Sequence, residues 1–160
     1  MKKLILVRHA KSSWEFPCDD KDRPLLSRGV DRANTVAHKT HGFVGSNYYI
    51  TSSPAVRALE TAKIFLSCWD IPISNCIVVP SLYTFNVAQL EEIVKSYPNH
   101  QKNAILFGHN DAITEFVNKF GDVNIFNVPT AGFVEIIFDS NEWKTIKKGK
   151  TTVVIFPKDV

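Results

Sequence analysis

The chain has 160 residues, enough for one domain with a buried core, and its 44% hydrophobic and 22% charged content is ordinary for a globular protein. Lysine and arginine together number 19, and aspartate and glutamate number 16, so the net charge is +3. This mildly basic balance suits an acidic ligand, but it is far below the charge of a dedicated nucleic-acid-binding protein. We therefore expect no nucleic-acid partner.

The sequence shows no signal for export or for a membrane. Four apolar residues, 4–7, follow the basic start, too few for a signal-peptide core, and no apolar run approaches the ~18 residues of a membrane span. The three cysteines make no C-x-x-C motif, so neither a disulfide framework nor a zinc site is indicated. We expect a single domain, residues 1–160, with reduced thiols in the cytoplasm.

Short apolar runs alternate with helical patterns from the start of the chain to about residue 120. Strands are predicted at residues 4–7, 47–51, 76–79 and 104–107. Helices are predicted at about 27–39, from 54 to about 67, from 87 to before Pro98, and over 113–120. Residues 11–26 lie between the first predicted strand and the first predicted helix. They show no hydrophobic periodicity and contain two prolines, which predicts a loop over the carboxyl end of the first strand.

The last third of the chain has a different pattern. Residues 133–138, 143–147 and 151–156 read as strands joined by tight turns, which predicts antiparallel additions to the edge of the sheet. A lysine cluster, residues 144–150, is interpreted as protection of an edge strand, in preference to a docking patch. The expected fold is an α/β three-layer sandwich, with a mostly parallel central sheet, flanking helices and antiparallel C-terminal edge strands.

Basic side chains stand at three of the predicted strand ends. Arg8 and His9 follow the first strand, Arg57 lies in the first turn of the helix after the second, and His109 follows the fourth. Because the carboxyl ends of parallel strands share one edge, we expect these side chains to meet beside helix N-termini, in a site suited to a phosphoryl group. Taken singly, Arg57 could instead pair with Glu60, and His109 could be a satisfied histidine beside a turn.

Five motifs then resemble the histidine phosphatase superfamily (phosphoglycerate mutase-like), and within it the SixA-type phosphohistidine phosphatases. They are LVRHA (6–10), DRPL (22–25) with Gly29, SPAVRALETA (53–62), GHN (108–110) and PTAG (129–132). The resemblance implies that His9 is the nucleophile that accepts the phosphoryl group, while Arg8, Arg57 and His109 hold its oxygens. It implies no metal and no cofactor, since arginines supply the positive charge.

A histidine nucleophile must be neutral, so we expect its second ring nitrogen to be held by a carbonyl or a carboxylate. Arg23 could reach the phosphoryl group or its carrier protein, or it could pair locally with Asp20 or Asp22. Both alternatives stay open at the level of sequence.

The chain departs from the wider superfamily where its phosphomonoesterase members carry a general acid. Residues 80–85 contain no carboxylate, and Ala10 and Lys11 also differ from the usual residues. The absence of a general acid lowers the rate about 10²–10⁴-fold where the leaving group must be protonated. An alkoxide leaving group needs that proton more than an imidazole does. The departure favours a P–N bond as the substrate, although the sequence leaves open that Glu91 or Asp19 acts as a displaced acid.

The leading hypothesis is therefore a phosphatase that acts on a histidine-phosphorylated protein, such as a phosphotransfer domain, through phospho-His9. The short chain has no insertion that could form a lid, which suits an open site for a folded protein. One alternative is a phosphatase for a small phosphorylated metabolite. Another is a phosphate- or phosphoprotein-binding module without catalysis. We expect no membrane partner.

Overall fold

A computed structural model describes residues 1–15 and 17–160, and so all of the predicted loop 11–26 except Phe16. The strands are β1 (Lys2–Arg8), β2 (Tyr49–Ser52), β3 (Cys76–Val78), β4 (Asn103–Gly108), β5 (Phe133–Phe138) and β6 (Lys150–Ile155). The helices are α1 (Ser27–Thr40), α2 (Val56–Cys68), α3 (Val87–Lys95) and α4 (Ala112–Phe120). No helix in the described ranges is long and apolar enough to cross a membrane.

The six strands form one sheet in the order β3-β2-β4-β1-β5-β6. Pairing is parallel among β1, β2, β3 and β4, whereas β5 runs antiparallel to β1 and β6 antiparallel to β5. Helices cover both faces. The predicted α/β fold, with a mostly parallel sheet and antiparallel C-terminal strands, is confirmed.

The central strand β1 is apolar on both faces because each face is covered by two helices. Leu4 and Leu6 belong to the core packed by α3 and α4. Ile5 and Val7 belong to the core packed by α1 and α2. All four side chains are fully buried, and the first polar residue after them is Arg8, at the end of β1.

Two features of the sheet differ from the sequence-based expectation. The predicted strand over residues 143–147 is wrong. Trp143–Thr145 is a short 3-10 turn, and the buried Trp143 indole donates to the Gln101 carbonyl at 2.7 Å. Of the four lysines in the cluster 144–150, only Lys150 lies in the edge strand β6, so the edge-protection interpretation applies to that residue alone.

The predicted third strand is present as β3, and it forms the opposite edge of the sheet. Its side chains at Ile77 and Val78 are each 46% exposed. The segment is wholly apolar, yet its exposure depends on the order of strands in the sheet, which local sequence does not determine.

The start of α1 is packed directly on the chain that leaves β1. The Leu26 N–H donates to the Lys11 carbonyl at 2.9 Å. Gly29, in the first turn of α1, lies so close that a Cβ at this position would overlap the same carbonyl oxygen. This close approach holds the segment after His9 against the body of the domain.

Candidate active site

Three strands end at the same edge of the sheet, and their next residues lie side by side. Arg8, the last residue of β1, pairs with Gly108, the last residue of β4. The His9 N–H donates to the Gly108 carbonyl at 3.1 Å, and the Ser53 N–H donates to the Phe107 carbonyl at 3.0 Å. The ends of β1, β2 and β4 are thus locked together by backbone hydrogen bonds, which brings the predicted residues to one place.

A cavity of about 550 Å³ opens at this edge. Twelve described residues line it: Arg8, His9, Lys11, Ser12, Trp14, Asp20, Arg23, Arg57, Tyr83, Phe85, Asn110 and Thr130. Four of the predicted site residues are in this set. The fifth, His109, is 1% exposed, and its ring centroid lies 5.3 Å from that of His9.

The His9 ring is held in one orientation by the backbone. Its Nδ1 lies 2.7 Å from the Ala10 carbonyl, so Nδ1–H donates and Nε2 keeps its lone pair. The sequence analysis expected such a carbonyl or carboxylate partner. Ala10 is fixed in turn, because its N–H donates to Thr61 Oγ1 at 2.8 Å.

Burial lowers the pKa of His9 to about 4, in spite of the hydrogen bond to Ala10, and the cations of Arg57, Arg8 and Arg23 lower it further. The imidazole is therefore neutral at pH 7. A neutral ring with an unprotonated Nε2 is the form that can attack phosphorus.

His109 is held by Ser53, which follows β2. Its Nε2 lies 2.8 Å from Ser53 Oγ, and that oxygen already accepts the Ala55 N–H at 3.1 Å. Burial lowers the pKa of His109 to about 3, helped by His9 and Arg57, so the ring is neutral. If Ser53 donates to Nε2, the ring proton sits on Nδ1, which has no hydrogen-bond partner among the described residues.

The two arginines at the site form hydrogen bonds through their terminal nitrogens and none through Nε among the described residues. Arg57 is the second residue of α2 and is 2% exposed; its Nη1 donates to the Asp20 carbonyl at 2.6 Å and its Nη2 to Asp20 Oδ2 at 2.9 Å. Arg8 donates from Nη1 to the Val128 carbonyl at 2.9 Å. The Nε atoms of both side chains are buried, and within the described ranges neither has a hydrogen-bond partner.

Arg23 makes the local pair that its sequence context allowed. Its Nε donates to Asp20 Oδ1 at 3.1 Å, so the local partner is Asp20. Its Nη1 donates to Ser12 Oγ at 2.6 Å, and its guanidinium stacks on Trp14, 3.6 Å from the ring centroid. The side chain also lines the cavity, so Arg23 lies close to the predicted phosphoryl site.

Asp20 and Tyr83 belong to the site, although the sequence analysis did not select either. Asp20 Oδ2 accepts the Tyr83 hydroxyl at 2.6 Å, in addition to its contacts with Arg57 and Arg23. Burial would raise the pKa of Asp20, but the hydrogen bonds from Tyr83, Arg57 and Arg23 lower it to about 2. Asp20 lies in a loop without periodicity, and its only sequence signal is the i, i+3 spacing to Arg23.

The two carboxylates named as displaced acids lie elsewhere. Glu91, on α3, pairs with Lys119 at 2.8 Å, and Asp19 is exposed; neither lines the cavity. Residues 80–85 instead supply aromatic rings. Tyr83 and Phe85 meet His109 edge-on, with centroids 5.5 and 5.4 Å away.

The PTAG motif supports the site from the backbone. The Ala131 N–H donates to the carbonyls of Arg8 and His9 at 3.0 and 3.1 Å, and Thr130 lines the cavity. No group of three or more His, Cys, Asp or Glu residues that could hold a metal ion occurs in residues 1–15 and 17–160.

A family model of the histidine phosphatase superfamily (branch 1) matches residues 4–77. An uncharacterised chloroplast protein of Arabidopsis thaliana is 30% identical over 133 residues, which are 78% of this chain and 61% of that protein. The chain thus spans less than two thirds of the length of that relative.

Three solved structures share the fold at low sequence identity. A protein histidine phosphatase SixA in complex with tungstate matches with a TM-score of 0.80 and 18% identity over 98% of both chains. A protein assigned as SixA from Agrobacterium tumefaciens matches at 0.76 and 18%, over 96% of this chain and 97% of that one. The α-ribazole phosphatase of Shigella flexneri matches at 0.70 and 15%, over 97% and 96%.

Proposed function

The chain belongs to the histidine phosphatase superfamily, and from this membership we propose that it is a phosphatase that hydrolyses the P–N bond of a phosphohistidine on another protein. One observation carries the proposal. Arg8 Nε, Arg57 Nε and His109 Nδ1 are buried at the edge where β1, β2 and β4 end, and none has a hydrogen-bond partner among the described residues.

Such unpartnered buried polar atoms are unfavourable, at about 1–3 kcal/mol for each group. The guanidinium groups of Arg8 and Arg57 line the cavity, so a tetrahedral oxyanion there would meet two cations. Two guanidinium groups would also neutralise the charge that spreads over the equatorial oxygens during phosphoryl transfer. The SixA structure that matches this fold holds tungstate, which is itself a tetrahedral oxyanion.

In the first step, the lone pair of His9 Nε2 forms a bond to phosphorus, and the P–N bond of the substrate breaks. The departing imidazole already carries a proton on its other ring nitrogen and keeps the bonding electron pair, so it leaves as a neutral ring. Throughout this step the Nδ1–H of His9 keeps its hydrogen bond to the Ala10 carbonyl. This hydrogen bond stabilises the positive charge that develops on the ring.

In the second step, water attacks phospho-His9 and forms the new P–O bond. The P–Nε2 bond breaks, and its electron pair returns to His9. The proton that water loses passes to a phosphoryl oxygen, so the products are orthophosphate and neutral His9.

The protonation states in the cavity favour a nitrogen leaving group. Of the described residues that line it, Asp20 alone carries a carboxylate, and with a pKa of about 2 it is ionised at pH 7. The hydrogen bond to Asp20 and burial raise the pKa of Tyr83, which makes its hydroxyl a poorer acid. Neither group can readily protonate an alkoxide, whereas imidazole leaves without that help.

The rim of the cavity supports a protein as the carrier of the phosphohistidine. Trp14 is 78% exposed and Phe85 is 51% exposed, and both line the cavity. Aromatic side chains of this kind are enriched where one folded protein docks on another.

The test is incubation with a histidine-phosphorylated carrier domain labelled with ³²P, followed by an alkaline quench. We expect an acid-labile, alkali-stable label on His9 and release of orthophosphate. His9→Ala should abolish both. His100→Ala is the matched control, because His100 is exposed and does not line the cavity, and it should retain both.

A substrate panel separates the proposal from its alternatives. Efficient hydrolysis of phosphomonoesters with none of phosphohistidine would replace the proposal with a phosphatase for small metabolites. Tight binding of phosphate or of phosphoprotein, with no turnover of any substrate, would replace it with a binding module.

A further inference from the structure

The cavity is strongly cationic, but it contains one fixed negative charge. Arg8, Lys11, Arg23 and Arg57 line it, and among the described lining residues Asp20 supplies the single carboxylate. A carboxylate at this position weakens anion binding, because its negative charge repels the anion.

Asp20 is placed against the same guanidinium that the proposed function assigns to the phosphoryl group. It accepts from both terminal nitrogens of Arg57, through its carbonyl at 2.6 Å and its Oδ2 at 2.9 Å. Its Oδ1 accepts from Arg23 at 3.1 Å, and Tyr83 donates to Oδ2 at 2.6 Å. The carboxylate therefore neutralises part of the positive charge that an incoming oxyanion would meet.

We propose that Asp20 is an internal counter-anion: it orients Arg57 and Arg23, and its charge weakens the binding of free phosphate so that the product leaves the site. The inference rests on the proposed function, since it takes the cavity to be a phosphoryl site. Asp20 acts through the arginines, so it is a positioning residue with an electrostatic effect on ligand affinity.

A purely structural role for Asp20 leads to the opposite expectation. If the carboxylate only anchored the two arginines, its removal would loosen them and weaken anion binding. If its charge opposes the anion, its removal strengthens anion binding. The sign of the change in phosphate affinity therefore separates the two roles.

The magnitude follows from Coulomb's law for a partly exposed carboxylate. The Asp20 side chain is 40% exposed, so water screens it, yet it lies within hydrogen-bond distance of Arg57. With a water-like effective dielectric constant of about 80, one such charge at roughly 6 Å from a phosphate dianion changes affinity by roughly tenfold.

The experiment is calorimetric titration of orthophosphate, and separately of tungstate, into the full chain at neutral pH. Asp20→Asn removes the charge and keeps the shape, and we expect its Kd for both anions to fall at least about fivefold. Asp20→Ala removes the same charge and should also tighten binding, which covers the case in which the amide variant does not fold.

Two controls isolate the charge of Asp20. Asp22→Asn makes the same change of charge two residues away, at an exposed position that does not line the cavity, and should change Kd less than about twofold. Tyr83→Phe removes a hydrogen bond to Asp20 but keeps its charge, and should not tighten binding.

The outcomes are distinguishable. Unchanged or weaker phosphate binding by the Asp20 variants overturns the counter-anion role, and so does equal tightening by Tyr83→Phe or Asp22→Asn. If the unsubstituted chain binds neither phosphate nor tungstate, the phosphoryl site itself is wrong, and the proposed function fails together with this inference.

Discussion

Two buried charged groups in this molecule have very different surroundings. Arg57 is 2% exposed and lines the cavity, with its Nε unpartnered in the described part of the chain. Glu135, on β5, is 5% exposed and lies within the sheet; Thr152 donates to its Oε1 at 2.7 Å, and Lys3 Nζ is 3.8 Å from its Oε2.

Both side chains carry a buried atom without a hydrogen-bond partner among the described residues, Nε in Arg57 and Oε2 in Glu135. The difference is that Arg57 faces space for a ligand, whereas Glu135 does not line the cavity and has a cation from the neighbouring strand β1 close by. An unpartnered buried atom therefore indicates a binding site only where a cavity opens beside it.

The largest effect is expected at His9, which lines the same cavity as Arg57. His9→Ala removes the proposed nucleophile, and the rate of phosphohistidine hydrolysis should fall at least about 10⁴-fold. Circular dichroism and thermal unfolding should show a folded protein. Activity within tenfold of the unsubstituted chain would remove His9 from the mechanism.

A paired substitution tests the comparison directly. Arg57→Gln should lower kcat/KM about 10²–10³-fold, because it removes a donor to the developing charge. Glu135→Gln should leave kcat/KM within about twofold and change the free energy of unfolding by about 1 kcal/mol, since the hydrogen bond from Thr152 survives. Steady-state kinetics and urea unfolding of both variants measure this. Equal losses of activity would contradict the distinction.

The two histidines of the cavity should make stability depend on pH. Their pKa values in the folded chain, about 4 for His9 and about 3 for His109, lie below the ordinary value of 6.5, mainly because of burial. Below pH 6.5 the unfolded chain therefore binds more protons, so the stabilisation is fully present above pH 6.5 and is lost as pH falls towards 4.

Each histidine should contribute about 1.4 kcal/mol per pH unit to this slope. His109→Asn should reduce the slope by that amount between pH 6 and 4.5, as measured by urea unfolding. The exposed His100 is the control, and His100→Asn should leave the slope as it is. An unchanged slope in His109→Asn would show that His109 is not kept neutral by burial.

The sequence was most informative where a local pattern and a strand end coincide. The apolar run before Arg8 predicts a strand buried on both faces, and Pro54 indicates a helix start that places Arg57 near the edge of the sheet. α2 begins at Val56, two residues later than expected, yet Arg57 is still in its first turn. These residues were found because backbone geometry alone brings them together.

Features that depend on tertiary packing were not predictable. Residues 143–147 lie between two turn signals, which predicts a strand, but the Trp143 side chain is buried in the core and its indole donates to the Gln101 carbonyl. Asp20 lies in an aperiodic loop, and its role depends on Arg57, 37 residues later in the chain. Contacts of this range leave no local signal in one sequence.

The last expected effect is on stability and comes from outside the cavity, at the contact between α1 and the chain that follows His9. Gly29→Ala adds a Cβ that overlaps the Lys11 carbonyl oxygen, so α1 or residues 10–12 must shift. We expect a loss of about 1–3 kcal/mol in the free energy of unfolding, as for other overpacked positions.

Gly45→Ala is the matched control for that substitution, because a Cβ at Gly45 meets no atom within 4 Å. Both variants add one methyl group, which has room at Gly45 but not at Gly29, so urea unfolding should show a loss in the Gly29 variant and almost none in the Gly45 variant. If Gly29→Ala also lowers kcat, the close packing of α1 on Lys11 helps to orient His9, two residues earlier. If kcat is unchanged while stability falls, the hydrogen bonds of His9 and Ala10 to Gly108 and Thr61 are sufficient to hold the nucleophile.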